Sequence, residues 1–385
     1  MNTIKEQMKL AYIKLFRFLN QRYYIYPIQQ NKIVFEAFSG SIYGCSPKYI
    51  SRKLHELYGS DVQLVWAVKD PEQFRSAYAD DGVLFCKYRS AAHVKHRMTA
   101  KVYVSNFLEA TEIPKRKGQV FLQTWHGGGC YKRLGSGTAH MSVHDIRRNI
   151  QVAETDYFLV SSQFFEEEVV RKQLRYTGRT IRSGMPRNDV LFHIEPARRA
   201  ILRQKLGLEE NVFTVLYAPT WSQSAGQYEQ LNATRVRTAF KERFGRECVL
   251  LYRAHLNEQN KSLDMVDVSN YGDMQELLYL CDALITDYSS SIWDYSFTLR
   301  PCFLFAPDVD EYIQRRGFGK PIEQWGFPLT RSNDELEEAI LLFSEKDFAQ
   351  SMQKHHDDLG SFETGIACET AADLIAGICG LEKEG

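Results

Sequence analysis

The chain has 385 residues, which is too long for one hydrophobic core of ordinary size, so we expect two domains. Hydrophobic residues make up 44% and charged residues 25% of the chain, which is typical of a folded globular protein rather than a disordered one. Lys and Arg together number 48, as do Asp and Glu together, so no net charge favours nucleic acid as a partner.

The eight cysteines favour a reducing compartment. None of them shows CxxC or metal-ligand spacing. Several lie in or beside apolar runs, where a free thiol behaves as a small hydrophobe; these are Cys45, Cys86, Cys248, Cys281 and Cys302. The sequence shows no signal-peptide pattern and no uncharged apolar stretch long enough to span a bilayer, so we expect a cytosolic chain.

The first predicted element is an amphipathic helix within residues 1–25. A basic amphipathic helix can lie in the membrane interface with its apolar face down, or it can pack on its own domain. The sequence leaves both alternatives open. The apolar face consists of Ile4, Met8, Ala11, Tyr12, Leu15, Phe18 and Leu19. The sides and back carry Lys5, Lys9, Lys14 and Arg17, interrupted by Leu10 and Ile13.

Short apolar runs then alternate with helical patterns along the chain. Strands separated by helices predict parallel sheets with helices on both faces. Helical spacing of apolar residues occurs, for example, at 47–58 and 162–174. The strand candidates of the first half are 33–38, 63–68, 102–105, 120–124 and 157–161. Those of the second half are 214–218, 249–253, 283–286 and 302–305.

A polar, Arg-rich stretch near residues 195–204 separates the two sets of strands. We therefore predict an α/β protein with two doubly wound, Rossmann-like domains that face each other across a cleft. The N-terminal domain is predicted to cover 26–195 and the C-terminal domain 196–385. Ligands of such sheets bind beyond the carboxyl ends of the strands, so polar residues at those ends are the functional candidates.

The first chemical motif is a glycine-rich loop directly after the strand predicted at 120–124, with the sequence QTWHGGGCYKR. Three consecutive glycines, Gly127, Gly128 and Gly129, let the backbone approach a ligand closely and present its N–H groups to an anion. His126 precedes them at the edge of the strand, and an imidazole there can accept a proton near neutral pH. A flexible loop with a chance histidine is the structural alternative.

The second motif, TDYSSSIWDY, follows the strand predicted at 283–286. A helix is expected to begin within the serine run that contains Ser289 and Ser290. One serine hydroxyl suffices to cap a helix, and the remaining hydroxyls together with the first helical N–H groups form a phosphate site. Asp294 lies about one turn into this helix, where its carboxylate could accept a hydrogen bond from a ribose or polyol hydroxyl.

Other polar residues follow strands or mark the predicted domain boundary. Pro219 and Thr220 follow the strand 214–218 in the motif YAPTW. Arg253 and His255 end the next strand in the motif YRAH, and two such groups are unusual neighbours unless an anion is nearby. Arg187 lies in the turn GMPRND at the domain boundary. Each of these residues by itself could have a purely structural role.

In this order, the strings QTWHGGGCYKRLG, GMPRND, LYAPTW, YRAH and ITDYSSSIWDY resemble those of the CDP-glycerol glycerophosphotransferases of teichoic acid and capsule synthesis. The resemblance covers residues 33–342 and implies the two-domain fold called GT-B. It implies that His126 is the general base for an acceptor hydroxyl and forms a catalytic pair with His255. It also implies a CDP-alditol site that consists of Trp125, Gly127, Gly128, Gly129, Arg187, Pro219, Thr220, Arg253, Ser289, Ser290 and Asp294.

The chain departs from the family pattern on the acceptor side. The family often has Thr-Pro-Leu after the WHG sequence, where this chain has Gly128 to Tyr131, and it usually has Pro where this chain has Leu256. The first difference leaves the acceptor in doubt, and the alditol of the donor, glycerol or ribitol, stays open as well. The two histidines themselves are present.

The resemblance implies transfer of glycerol phosphate from CDP-glycerol to a hydroxyl of a lipid-linked glycan precursor, with release of CMP, at the cytoplasmic face of the membrane. No carboxylate cluster has divalent-metal spacing, so we expect no metal and no cofactor besides the donor. A glycosyltransferase of the same architecture that uses a nucleotide sugar is the alternative. A non-catalytic tether should have lost one of the two histidines. From the length of the chain we expect a primase that adds very few units.

Overall fold

The structure is a computed structural model that describes residues 2–108, 111–134, 142–220, 228–254 and 264–382. The chain divides into two compact units. The first contains residues 1–126, 135–189 and 362–385, and the second contains 127–134 and 190–361. Each unit has one parallel sheet, as the alternation of strands and helices predicts.

The first unit contains a seven-stranded sheet with the order β3-β2-β1-β4-β5-β6-β7, and the second a six-stranded sheet with the order β10-β9-β8-β11-β12-β13. The strands of the first sheet are β1 (Gln29–Glu36), β2 (Gln63–Val68), β3 (Val83–Lys87), β4 (Ala100–Ser105), β5 (Val120–Gln123), β6 (Tyr157–Val160) and β7 (Arg179–Arg182). Those of the second sheet are β8 (Phe213–Ala218), β9 (Cys248–Tyr252), β10 (Val266–Asp267), β11 (Ala283–Thr286), β12 (Cys302–Phe305) and β13 (Leu329–Thr330).

Helices alternate with these strands along the described chain. The predicted helix 162–174 forms as a π-helix over Phe165–Gln173. The α-helices are α1 (Asn2–Asn20), α2 (Cys45–Tyr58), α3 (Pro71–Arg75), α4 (Ala91–Thr99), α5 (Val143–Glu154), α6 (Asp189–Phe192), α7 (Pro196–Lys205), α8 (Ala233–Phe244), α9 (Met274–Leu280), α10 (Ser291–Ser296), α11 (Val309–Arg315), α12 (Asn333–Leu341), α13 (Glu345–Leu359) and α14 (Ala367–Cys379).

The core of the first unit lies on both faces of its sheet. On one face Phe35 of β1 stacks on Trp66 of β2, with 5.6 Å between ring centroids, and α2 covers them. The indole N–H of Trp66 donates to the Ser51 hydroxyl of α2. On the other face Tyr103 of β4 packs against Phe121 of β5. Central strands are therefore almost wholly buried, which explains why their apolar runs identify them in the sequence.

The last helix returns to the first unit, which differs from the predicted assignment of 196–385 to the C-terminal domain. The residues of α14 that enter the first core include Ala372 and Ile375. The carboxylate of Asp189 accepts hydrogen bonds from the N–H groups of Ala367 and Cys368, so it caps the start of α14. The sequence pattern of a helix rich in small residues is compatible with packing on either sheet. The cap by Asp189 and the packing of Ala372 and Ile375 place α14 on the first sheet.

Helix α1 packs on its own domain along one side only, and the membrane-interface alternative stays a prediction. One side packs on the first unit, where Ile13 is 1% exposed and the Arg17 guanidinium pairs with Glu154 and donates to the Thr111 carbonyl. The face predicted to be apolar points to solvent; Met8 is 67% and Phe18 69% exposed. In the part of the chain that the structure describes, no helix is both long and apolar enough to cross a bilayer.

Candidate active site

His126 follows strand β5 at the carboxyl edge of the first sheet. Trp125 before it has a left-handed backbone, with φ of 56°, and its N–H donates to the side-chain oxygen of Gln123. The Trp125 ring is buried among Phe158 and Phe165 of the first core. This tight turn holds the histidine at the end of the strand. The predicted contact of Trp125 with a donor stays a prediction.

The hydrogen bonds of the His126 ring define which nitrogen can act as a base. Its Nδ1 lies 2.9 Å from the backbone carbonyl of Asn106. A carbonyl oxygen only accepts, so Nδ1 carries the proton of the neutral ring and Nε2 has a free lone pair. Burial, with a further contribution from the Arg187 charge, lowers the pKa of His126 to about 4. The ring is therefore neutral at pH 7 and able to accept a proton.

Asn106 positions this histidine and was not identified from the sequence. It follows strand β4 directly, at the same sheet edge as His126, and that placement is the signal that could have revealed it. Its side-chain oxygen accepts the Phe38 N–H at 2.9 Å. The rings of Phe38 and Phe107 each lie 5.4 Å from the imidazole, by centroids. The ring of His126 is thus fixed by aromatic contacts and one hydrogen bond.

Arg187 lies in the same unit as His126. It is 6% exposed, and its Nη1 donates to the His126 carbonyl at 2.9 Å and lies 3.2 Å from the Cys45 thiol sulfur. The sequence interpretation gives Arg187 a role in holding the donor. The structure adds a different contact, in which the guanidinium supports the backbone of the proposed base.

The three glycines after His126 belong to the second unit, where Gly127 and Gly128 lie against the start of α10. A Cβ atom on Gly128 would lie 2.2 Å from the Trp293 ring, which no side chain can accommodate. A Cβ on Gly127 would lie 3.3 Å from the Ser290 Cβ. Close packing thus requires Gly128, and Gly127 places the loop beside the serine run. The sequence analysis explained these glycines by a close approach of the backbone to a ligand. Packing against Trp293 is a second reason why Gly128 is a glycine.

The serine run begins α10, as the sequence predicts. The hydroxyl of Ser289 accepts from the Ser291 N–H at 3.3 Å and from the Ser291 hydroxyl at 2.9 Å. Ser290 stands at the N-cap position, but its hydroxyl makes no capping hydrogen bond. Ser289 therefore caps the start of the helix, whereas the Ser290 hydroxyl is not used for capping.

Asp294 is 2% exposed in the second unit, and its Oδ2 accepts from the Gln275 side-chain amide at 3.1 Å. Gln275 lies in the first turn of α9 and is itself buried. This contact fixes the carboxylate one turn into α10, where the sequence places it. Its predicted contact with a ribose or polyol hydroxyl stays a prediction.

The buried Asp287 and the half-buried Thr220 and Lys132 form a group beside the carboxyl ends of β8 and β11. The Oδ2 of Asp287 accepts from the Thr220 N–H at 2.7 Å and from its hydroxyl at 2.9 Å. Burial raises the pKa of Asp287, and the nearby Lys132 charge opposes that rise. Burial also lowers the pKa of Lys132 to about 8, against the attraction of Asp287. Lys132 and Asp287 were absent from the predicted donor residues, although both lie inside the two motifs.

The remaining donor candidates follow strands of the second sheet. Pro219 immediately precedes Thr220 after β8. Arg253 follows β9, and its Nη1 donates to the Tyr271 carbonyl at 2.9 Å. Burial lowers the pKa of Arg253, and the charge of Asp273 opposes this. His255 lies outside the described residues, so its predicted role has no structural counterpart here. Within the described ranges no group of three His, Cys, Asp or Glu side chains is placed to hold a metal.

Comparisons with known proteins identify the family and agree with the fold. A family model described as CDP-Glycerol:Poly(glycerophosphate) glycerophosphotransferase matches residues 18–376. The chain is 27% identical to a teichoic acid poly(glycerol phosphate) polymerase of Bacillus spizizenii over 371 residues, which is 91% of this chain and 93% of the relative. It is 30% identical to a polymerase of the same description from Staphylococcus epidermidis over 90% of this chain, but only 51% of that relative.

The fold also resembles a solved structure of the wall teichoic acid polymerase TagF, in a variant soaked with CDPG. The TM-score is 0.79 at 25% identity, with 98% of each chain covered. Two parallel-sheet units of this kind confirm the predicted fold class.

Proposed function

Because the chain belongs to the CDP-glycerol:poly(glycerophosphate) glycerophosphotransferase family, its reaction is the transfer of glycerol phosphate from CDP-glycerol, and we propose a hydroxyl of a lipid-linked cell-envelope glycan precursor as the acceptor. CMP is the leaving group. The pathway is teichoic acid synthesis, in agreement with the relatives of this chain. The contact of His126 Nδ1 with the Asn106 carbonyl, from which an unprotonated Nε2 follows, is the observation that carries the mechanism.

In the proposed step, Nε2 of His126 takes the proton of the acceptor hydroxyl. The oxygen attacks the phosphorus that bears glycerol, a new P–O bond forms, and the P–O bond to CMP breaks. The reaction is in line, and most of its catalysis comes from positioning and from charges near the phosphoryl oxygens. Asn106 serves here as a positioning residue, because its carbonyl fixes the tautomer that the base requires.

We assign donor binding to groups of the second unit. Lys132 follows the glycine loop and interacts electrostatically with Asp287, and Asp287 in turn accepts the Thr220 hydroxyl. With Pro219, Arg253, Ser289, Ser290 and Asp294 these groups would hold the CDP-glycerol, and His255 would add a second catalytic histidine. The glycine loop would line both substrates. The reaction is proposed to need no metal and no further cofactor, so dialysis against EDTA should leave turnover unchanged.

The proposed location is the cytoplasmic face of the membrane, where the enzyme would be peripheral. Support comes from α1, whose exposed face carries Met8, Leu15 and Phe18 while its other side is anchored to the first unit. The exposed Lys9 and Lys14 would attract anionic lipid. A lipid-linked acceptor would then meet the enzyme at the surface where both reside.

The expectation of very few added units depended on chain length. A relative named a polymerase is matched over 93% of its own length, so length no longer separates primases from polymerases. The proposal is therefore repeated addition. Each transfer leaves a new glycerol hydroxyl at the end of the product, and this hydroxyl can serve as the next acceptor.

The test is CMP release coupled to product formation. Purified protein with CDP-glycerol and a lipid-linked disaccharide should release one CMP for each glycerol phosphate transferred. The variant His126→Asn keeps a side-chain N–H for the Asn106 carbonyl but has no base, so its rate should fall about 10²–10⁴-fold while CDP-glycerol still binds.

The exposed His193 supplies the matched control, since His193→Ala should retain full activity. CDP-ribitol and a nucleotide sugar are tested as donors in parallel. Turnover of the sugar nucleotide in place of CDP-glycerol, or an active His126→Asn enzyme, would overturn the proposal.

A further inference from the structure

A cavity of about 220 Å³ lies in the first unit between α1 and the start of α4. None of the groups that contact His126 lines it. The volume is below the roughly 300–1,000 Å³ of pockets that enclose drug-sized ligands, so it suits a small head group rather than a whole substrate. Its lining residues include Tyr12, Phe16, Arg22, Arg89, His93 and Glu112.

His93 lines this cavity and has a buried hydrogen-bond donor that no described group accepts. The side chain is fully buried, and its Nδ1 accepts the Arg89 N–H at 3.0 Å. Burial lowers the pKa of His93 to about 3, so the ring is neutral and its proton resides on Nε2. That Nε2 makes no hydrogen bond to any described residue, and the Oε2 atom of Glu36 lies 3.9 Å away. A buried donor without an acceptor costs free energy, and a ligand oxygen would remove that cost.

The charge of the cavity favours an anion. Two guanidinium groups, those of Arg22 and Arg89, line it together with one carboxylate, that of Glu112. Glu112 is already shared, because it accepts from Arg147 at 2.7 Å and from Arg89 at 3.3 Å. Arg22 and Arg89 are both exposed residues, so a ligand from solvent can reach them. The positive charges therefore outnumber the negative one, and phosphate is the anion that arginine forks bind well.

The apolar wall of the cavity is part of the exposed face of α1. Tyr12 and Phe16 line the cavity, their rings are 4.2 Å apart by centroids, and they are 46% and 36% exposed. Leu15 and Leu19 extend the same exposed face. A ligand whose phosphate entered the cavity could thus lay an alkyl chain along α1.

We propose that this cavity binds the phosphate-bearing head of a membrane lipid, with its oxygens on His93 Nε2, Arg22 and Arg89 and its chain along Tyr12 and Phe16. The inference deepens the proposed function, since it names a lipid contact for an enzyme that is proposed to act on a lipid-linked acceptor. Bulk anionic phospholipid and a lipid-linked acceptor that carries phosphate share this chemistry, and the experiment separates them.

The first experiment measures binding of monomeric dihexanoyl phosphatidylglycerol by calorimetry. The double variant R22Q/R89Q should weaken binding about tenfold or more, since hydrogen bonds to charged groups are lost. The control K9Q/K14Q removes two charges from α1 outside the cavity and should bind the monomer as the wild type does. His93→Leu, if folded by circular dichroism, should also weaken binding. Equal affinity of wild type and R22Q/R89Q overturns the inference.

Inorganic phosphate is the second probe. If it binds as tightly as the phospholipid and displaces it, the site is a plain phosphate site and the lipid assignment is wrong. We expect weaker binding of phosphate, because the contacts along Tyr12 and Phe16 are absent.

Glycerol phosphate transfer to a short-prenyl diphosphate disaccharide separates the two lipid sources. An increased acceptor KM in R22Q/R89Q, with unchanged kcat, identifies the acceptor diphosphate as the occupant. An unchanged KM together with lost phosphatidylglycerol binding identifies bulk phospholipid. If the wild type transfers no glycerol phosphate, the proposed function is wrong. The binding experiment then determines by itself whether the cavity holds a lipid head group.

Discussion

At the scale of single residues, the hydrogen bond of His126 to a backbone carbonyl sets its acid–base properties. A carboxylate at that position would stabilise the imidazolium and raise the pKa, whereas a neutral carbonyl does so much less. Burial therefore prevails and lowers the pKa to about 4. A base must be unprotonated to act, so the active form dominates above this pKa and is lost below it. Near neutral pH almost every His126 ring is ready to accept a proton.

The pH profile should reflect this shift. We expect kcat/KM to stay level as the pH falls from about 7 to about 5 and to decrease only near pH 4, because kcat/KM reports the free enzyme. The acid limb of kcat should lie at higher pH, because a bound phosphate raises the pKa of the nearby imidazole. Initial rates of CMP release in buffers of constant ionic strength measure both.

Circular dichroism at each pH serves as the control, because acid unfolding would imitate a loss of base. An acid limb of kcat/KM near 6.5, the usual value for histidine, would show that His126 is not buried as described or is not the base.

At the scale of structural elements, the glycine loop is tied to α10 by close packing. Gly128 lies where a Cβ atom would overlap the Trp293 ring, at 2.2 Å. We expect Gly128→Ala to displace the loop and to destabilise the protein by about 1–3 kcal/mol, as overpacking of a dense region does. Donor affinity should fall with it, because the same loop precedes Lys132. Thermal unfolding and calorimetry with CDP-glycerol measure the two effects.

Gly127→Ala is the matched control one position earlier. Its Cβ would meet the Ser290 Cβ at 3.3 Å, which a small shift relieves. This variant should therefore lose much less stability. Equal effects of the two substitutions would mean that loop flexibility, rather than contact with Trp293, requires the glycines.

The exposed face of α1 can be changed without touching its packed side. Met8, Leu15 and Phe18 are 67%, 53% and 69% exposed. Replacing all three by Gln should weaken binding to anionic vesicles about a hundredfold or more, since each buried apolar side chain contributes about 1.5–3 kcal/mol. Stability should hardly change, because more than half of each of these residues is already exposed to solvent. Co-sedimentation with phosphatidylglycerol vesicles measures the loss.

Ile13→Ala tests the opposite side of the same helix. Ile13 is 1% exposed, so its truncation should lower stability and leave vesicle binding intact as long as the protein is folded. If the triple variant sediments with vesicles as well as the wild type, α1 has only a packing role.

At the scale of the whole molecule, buried strands were the most predictable features. β2, β11 and β12 have the predicted bounds, because continuous apolar runs of this length rarely occur elsewhere. β7 contains two arginines and lies at a sheet edge, and β13 has only two residues, so neither has a periodic signal. The return of α14 to the first unit could not be predicted, since it depends on the cap by Asp189.

The motifs supplied the candidate residues, but they did not reveal how these residues are held in place. The resemblance identified His126, while Asn106, which fixes its tautomer, contributes a backbone carbonyl that no residue type encodes. Asp287 lies inside a motif, yet its function depends on the distant Thr220 and Lys132, which only the fold brings together. Long-range contacts of this kind leave no local pattern in a sequence.

The number of units added is also a property of the whole molecule, since it depends on whether the product leaves between transfers. Each step uses the same base and donor groups and regenerates a hydroxyl, so we expect independent additions. The mean product length should then rise with the ratio of CDP-glycerol to acceptor, with a single narrow distribution in mass spectra of the extracted lipid. Long chains beside unreacted acceptor would indicate a processive enzyme. A product that stops at one or two units at every ratio would support the primase hypothesis, because the enzyme would then not use the glycerol hydroxyl as an acceptor.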